Sequence, residues 1–183
     1  MPPVDSPSWC VLISGGIASG KTTVAQGLAS TLDARLVRVR QALLDVLGLE
    51  KADRRTLQEE GSALDKRTNG RWLLDYLLQH SEFHDRMVVD SLRTQRQAIP
   101  VLEGVHSANL VFLDVTRSVR EKRFASAAVT DPVKASMGLA QALRHDTEIQ
   151  VEELRPLAAL VIESDDLSAE QTVDEIISSL NLR

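Results

Sequence analysis

Cysteine is almost missing from this chain. Cys10 is the single one, so no intramolecular disulfide can form, and its place in the apolar run Cys10-Val11-Leu12-Ile13 makes it a small buried side chain. An excess of positive charge is missing too. A formal net charge of -5 excludes a protein built mainly to coat nucleic acid, because that task needs a basic surface to displace counterions. Any basic site must be local. No segment approaches a membrane span, and Met1 to Ser8 holds prolines and an aspartate where a leader would need basic and apolar stretches. A cytoplasmic protein is the expectation. There is also no repeat, no low-complexity tract and no obvious linker. At 183 residues, one folding unit over residues 1–183 is expected.

What is present alternates. Trp9 to Ser14 reads as a short buried strand closed by Gly15-Gly16, and Lys21 to Leu32 as a helix. Leu36 to Val39 is a weak strand. From Gln41 to Gln79 the leucines recur at helical spacing, with Gly48, Gly61 and Gly70 as expected divisions. Met87 to Asp90, Leu110 to Val115 and Leu160 to Glu163 are further apolar strands, each followed by a polar segment that can start a helix. Strands alternating with helices predict a parallel sheet covered on both faces. The least patterned stretch, Ser126 to Met137, is expected to be a mobile flap between two helices.

The strongest motif is Gly15-Gly16-Ile17-Ala18-Ser19-Gly20-Lys21-Thr22-Thr23, which fits G-x-x-x-x-G-K-[ST] between a predicted strand and a predicted helix. Glycine permits positive φ and close backbone approach, so successive amides form an anion nest at a helix N-terminus. Lys21 is placed to reach the β- and γ-phosphates of a nucleoside triphosphate, and the Thr22 hydroxyl to ligate Mg²⁺. Asp90 stands at the C-terminal end of an apolar strand, the edge where ligands bind, and is a second candidate for Mg²⁺. Three residues on, Arg93 can grip a second phosphate. After the strand ending at Val115, Arg120 and Arg123 share a helix face and are candidates to stabilise charge on a transferring phosphoryl group. Arg144-His145-Asp146 lies on the expected return from the flap. Trp9 and Trp72, flanked by apolar residues, read as packing residues, and His80 with His84 does not make a zinc pattern.

These residues resemble the P-loop nucleotide kinases, in particular the adenylate-kinase-like and dephospho-CoA-kinase-like nucleoside monophosphate kinases. The resemblance spans nearly the whole chain. It rests on the phosphate loop, on Val88-Val89-Asp90-Ser91-Leu92-Arg93, on Phe112-Leu113-Asp114-Val115 leading into Arg120-x-x-Arg123-Phe124, and on Ala159-Leu160-Val161-Ile162-Glu163-Ser164. It implies a three-layer α/β/α sandwich with a five-stranded parallel sheet in the order 2-3-1-4-5. It also implies an acceptor-binding helical region over about 40–80, where Leu57-Gln58-x-x-Gly61 follows Arg55, a helical lid over about 124–145, and a final helix from Ser168 to Leu180.

The chain departs from the family pattern at four positions. Ser91 stands where glycine is usual, Gln41 and Leu44 where an Asp and an Arg commonly hold the acceptor phosphate, and Ala127 where a further lid arginine is expected; Arg38 or Arg40 could substitute on the acceptor side. The function implied is phosphoryl transfer from ATP, with Mg²⁺, to a nucleoside monophosphate or related nucleotide. Two alternatives stay open. One is a kinase of a nucleoside or other small-molecule hydroxyl, with Asp33 or Asp45 as base; the other is a non-catalytic nucleotide-binding switch. The partner expected is a small-molecule nucleotide or nucleoside acceptor, with neither nucleic acid nor membrane; the number of subunits is left open.

Overall fold

A computed structural model of the chain describes residues 8–81, 86–128 and 150–182. Five strands, β1 (Trp9–Gly15), β2 (Arg35–Arg38), β3 (Arg86–Asp90), β4 (Ala108–Asp114) and β5 (Leu160–Glu163), form one parallel sheet in the order β2-β3-β1-β4-β5. This is the order that the resemblance implies. The helices in chain order are α1 (Lys21–Thr31), α2 (Val39–Leu47), α3 (Arg54–Thr68), α4 (Arg71–Gln79), α5 (Gln95–Gly104), α6 (Arg117–Ala128) and α7 (Ala169–Leu180).

The central strands are apolar at consecutive positions because both faces of the sheet are covered. Side chains alternate across a strand, so Cys10 and Leu12 join Met87, Val89, Leu110 and Phe112 in a core beneath α2 to α5. Val11 and Ile13 point the other way, to a second core with Val88, Val111, Leu113 and Ile162 that α1 and α7 cover. Cys10 is 0% exposed, as its apolar run predicts, and burial pushes its thiol up to about 12.

Several expected boundaries move. The second strand is Arg35–Arg38, and Val39 already opens α2. The helical region divides at Gly48, the C-cap of α2, and at Gly70, but Gly61 lies inside α3, where a side chain would press on Leu43 of α2. Gly70 is required by contact: an added Cβ would run into the backbone of Arg96 and Gln97, so the α3–α4 turn sits directly on the start of α5. Ser126, expected to open a flap, belongs to α6. The remainder of that flap, most of the 124–145 lid, Arg144 and His84 lie outside the described residues, as does the side chain of Ala127. Among the described residues no helix is long and apolar enough to cross a membrane.

Candidate functional site

Parallel strands bring their C-terminal ends to one edge, and the loops that leave that edge build the site. The loop between β1 and α1 carries the glycine-rich motif. Gly15 has φ 145, and an added Cβ would stand 2.6 Å from the Leu113 carbonyl oxygen and 2.8 Å from Ser19 Oγ, so no larger residue fits beside β4. Gly20, left-handed at φ 88, opens α1. Ala18 is left-handed as well, at φ 60, a conformation a side chain resists and one that concentrates in ligand-clamping loops. Lys21 folds back so that its Nζ donates to the Gly16 carbonyl at 2.9 Å. The ammonium therefore already lies over the concave side of the loop.

Register brings the next strands to the same place. Ile13 lies opposite Asp90 on one side, and Arg38 opposite Asp90 on the other. Asp90 is buried at 3% exposure, and its Oδ1 accepts from the Thr22 hydroxyl at 3.2 Å and the Ser91 hydroxyl at 2.8 Å. Ser91 is left-handed at φ 69. Glycine would adopt that backbone freely, whereas the serine carries about 1–2 kcal/mol of steric cost, offset in part by its bond to Asp90. The turn is then pinned to β1 by the Leu92 amide donating to the Ile13 carbonyl at 3.2 Å and by Ser14 Oγ donating to the Leu92 carbonyl at 2.8 Å.

A cleft of about 570 Å³ runs along this edge, lined by Ile17 to Val24, Ser91, Arg93, Arg123, Phe124, Ser164 and residues of the first turn of α7. The predicted residues thus divide. Lys21, Thr22, Thr23 and Arg93 line the cleft, Asp90 meets it through Thr22, and Arg123 closes its far end. Arg123 donates from Nη1 to the Ser19 carbonyl at 3.2 Å and from Nη2 to the Ser164 carbonyl at 2.9 Å, so α6, the phosphate loop and the β5–α7 connection are held by one guanidinium. Arg120 shares that helix face but does not line the cleft, and its Nε is buried with no hydrogen-bond partner among the described residues. Beside Arg123, Asp165 accepts from Thr116, whose hydroxyl and amide hold the carboxyl below its usual range.

The two acids considered as bases for a hydroxyl acceptor stand elsewhere. Asp33 follows α1 and precedes β2, at the opposite edge of the sheet. Asp45 accepts from Gln41 at 2.8 Å and from the Tyr76 hydroxyl at 2.8 Å; those bonds lower its carboxyl, and burial with the Asp45 contact raises Tyr76 to about 12. A carboxylate stabilised in its charged form on the α2–α4 face is not a poised base.

Three features go beyond the sequence reading. Ser164 was noted only as the end of an apolar strand, and its place in the cleft was not. The Ser168 and Gln171 capping box, which sets the start of α7, was visible as S-x-x-Q. Asp65, 6% exposed within α3, looks on the sequence like any charged helix residue, and only the fold surrounds it with donors.

The residues present fit a magnesium nucleotide. An amide-rich loop and one lysine answer phosphate charge, and Thr22 Oγ1 and Asp90 Oδ1 form an oxygen pair beside it. Among the described residues no group of three or more His, Cys, Asp or Glu could hold a metal ion.

No family model matches the sequence, and no curated protein matches it. Solved structures do. The chain is similar to shikimate kinase from Bacteroides thetaiotaomicron (17% identity, 94% of this chain and 98% of that one, TM-score 0.65) and to shikimate kinase from Aquifex aeolicus (18%, 94% and 96%, 0.62). It is also similar to the Mycobacterium tuberculosis APS kinase in complex with AMPPNP and APS (15%, 98% and 99%, 0.59). At these identities the likeness is one of fold: the chain has the P-loop kinase α/β fold over nearly its full length.

Proposed function

We propose that this protein transfers the γ-phosphoryl group of ATP, with Mg²⁺, to a nucleoside monophosphate or a related nucleotide. One observation carries the reading: the phosphate loop, the Thr22–Asp90 pair and Arg93 share a single cleft, with Arg38 in register beside Asp90. A donor phosphate chain and an already anionic acceptor can meet there. The likeness in fold to proteins named as kinases, one of them solved with AMPPNP, supports a triphosphate donor.

The loop amides orient the β- and γ-phosphates, and Lys21 exchanges the Gly16 carbonyl for phosphate oxygen. Thr22 and Asp90 would hold Mg²⁺, which would neutralise phosphate charge when bound. Arg93 grips the acceptor phosphate, and Arg123 fixes the wall at the donor end. An acceptor phosphate oxygen needs no strong base, so the chain's task is positioning and charge stabilisation. Transfer to a hydroxyl is a second reading, favoured by the names of the shikimate and APS kinases. In that reading Asp90 is the carboxylate placed to orient the hydroxyl.

Coupled ADP release with Mg-ATP tests both readings against a panel of ribo- and deoxynucleoside monophosphates, nucleosides and dephospho-CoA, with Lys21→Ala as control. Stimulation by a monophosphate, lost in the control by about 10²-fold or more, is expected. Stimulation by a hydroxyl acceptor alone would select the second reading. Silence across the panel with ATP bound would sink transfer to a monophosphate and leave an unusual metabolite as acceptor or a non-catalytic nucleotide switch.

A further inference from the structure

The mechanism above leaves one buried acid unused. Asp65 sits in α3, and its carboxylate accepts from Trp72 Nε1 of α4 at 2.6 Å, from Gln97 Nε2 of α5 at 3.1 and 3.2 Å, and from Thr94 Oγ1 at 3.3 Å. Its backbone carbonyl accepts from Gly70 at 2.9 Å. A buried carboxylate is stable only when its oxygens are answered, so this set of donors holds together as a unit.

One donor stands apart. Thr94 is the residue after Arg93 and the N-cap of α5, where its hydroxyl also accepts from the Gln97 amide. The turn from Asp90 to Thr94 therefore has two anchors: β1 and the phosphate loop hold Asp90 and Leu92, and Asp65 holds Thr94. Arg93 is suspended between them, facing the cleft. The seating of the α3–α4 turn on the start of α5 at Gly70 joins the same two regions independently.

We infer that Asp65 is a positioning residue. It ties the acceptor-side helices to the turn that carries Asp90 and Arg93, so that the phosphate-gripping guanidinium is placed from the acceptor side of the cleft. Asp65 touches no substrate in this role and acts through Thr94.

The link can be inverted without removing the helix cap. Thr94→Asn keeps a capping oxygen and an N–H donor for Asp65, whereas Thr94→Asp keeps the cap but sets a second carboxylate against Asp65. Amide hydrogen exchange across Ser91–Gln97 is expected to quicken about tenfold or more in Thr94→Asp and to stay near wild type in Thr94→Asn. The double variant Asp65→Asn/Thr94→Asp, with one carboxylate and one amide again facing each other, should recover it. Recovery excludes a direct pull of the new acid on Arg93, because that acid remains.

Unchanged exchange in Thr94→Asp, or changed exchange with no recovery in the double variant, would overturn the assignment. If Thr94→Asp does not fold, Asp65→Asn alone carries the same readout, since it replaces one acceptor oxygen by an N–H donor facing donors; there, exchange disturbed only within α3 and α4 would overturn it. The kinetic arm rests on the phosphoryl-transfer reading. With Mg-ATP and the monophosphate panel, kcat should fall about tenfold in Thr94→Asp while the KM for ATP holds, and return in the double variant. Exchange that responds as expected beside a panel that supports no turnover would leave the link standing and sink the transfer reading instead.

Discussion

The loop that would hold the donor and the helices that would hold the acceptor handle charge in different ways. From Gly15 to Thr23 there is one charged side chain, Lys21; the loop's capacity for anions comes from backbone amides aimed by unusual φ angles. From Arg35 to Arg71 there are nine Lys and Arg against six Asp and Glu, while the rest of the chain holds twelve against twenty. Three of those six acids are engaged by near neighbours: Asp45 with Gln41 and with Tyr76 of α4, Asp53 as the cap of α3, and Glu59 with Arg55. A fourth, Asp65, is buried. Backbone geometry would give the donor side one shape for one group, the triphosphate. In the proposed function, the side-chain surplus would give the acceptor side a positive field on long, adaptable arms, suited to an anionic acceptor without specifying its base.

The comparison breaks first at Asp90, which both sides share. Asp90→Asn should lower turnover by about 10²-fold and raise the Mg²⁺ concentration needed for half-maximal rate, with ATP still bound, in a metal titration of the coupled assay. Full turnover at ordinary Mg²⁺ would remove Asp90 from the site. On the donor side, Gly15→Ala should cost about 1–3 kcal/mol of stability, because the methyl meets the Leu113 carbonyl and Ser19 Oγ and the backbone must move. Denaturant midpoints measure this, and nucleotide affinity should fall with them. A loop that tolerates alanine would not depend on its backbone shape.

On the acceptor side the expected effect is smaller and selective. Arg38→Ala should raise the acceptor KM about tenfold, as for one charge-assisted contact, and leave the KM for ATP unchanged. Equal changes in both constants would show a general field and no acceptor grip. Asp45→Asn should do least, a few tenths of a kcal/mol at neutral pH, because this exposed acid is screened by solvent. The sign follows from its lowered pKa. Its contribution is complete above the ordinary carboxylate range and disappears as pH falls through the lower folded value, so wild type and variant should begin to converge in thermal melts only once the pH drops below about 4. A large loss of activity in Asp45→Asn would return that residue to the site as a base.

Much of this molecule was readable along the chain, because it rests on local chemistry. The phosphate loop is contiguous, its strand and helix flank it directly, and the apolar runs at Trp9, Met87, Leu110 and Leu160 follow from burial on both faces of a parallel sheet. Boundaries shifted where tertiary packing outweighed local preference, as at Gly61, retained inside α3 because Leu43 of α2 lies against it. The serine at 91 was visible as a departure, but its left-handed backbone and its bond to Asp90 were not. What the sequence by itself determined was the phosphate-binding chemistry and the alternation that builds the sheet, both set by neighbours within a few residues. Only the tertiary structure decided which distant residues meet: the register that sets Arg38 beside Asp90, the reach of Arg123 to both Ser19 and Ser164, the distance of Asp33 and Asp45 from the phosphate loop, and the gathering of Trp72, Thr94 and Gln97 around Asp65. Those contacts join residues far apart along the chain, and no local pattern encodes them because each exists only once sheet order and helix packing are set.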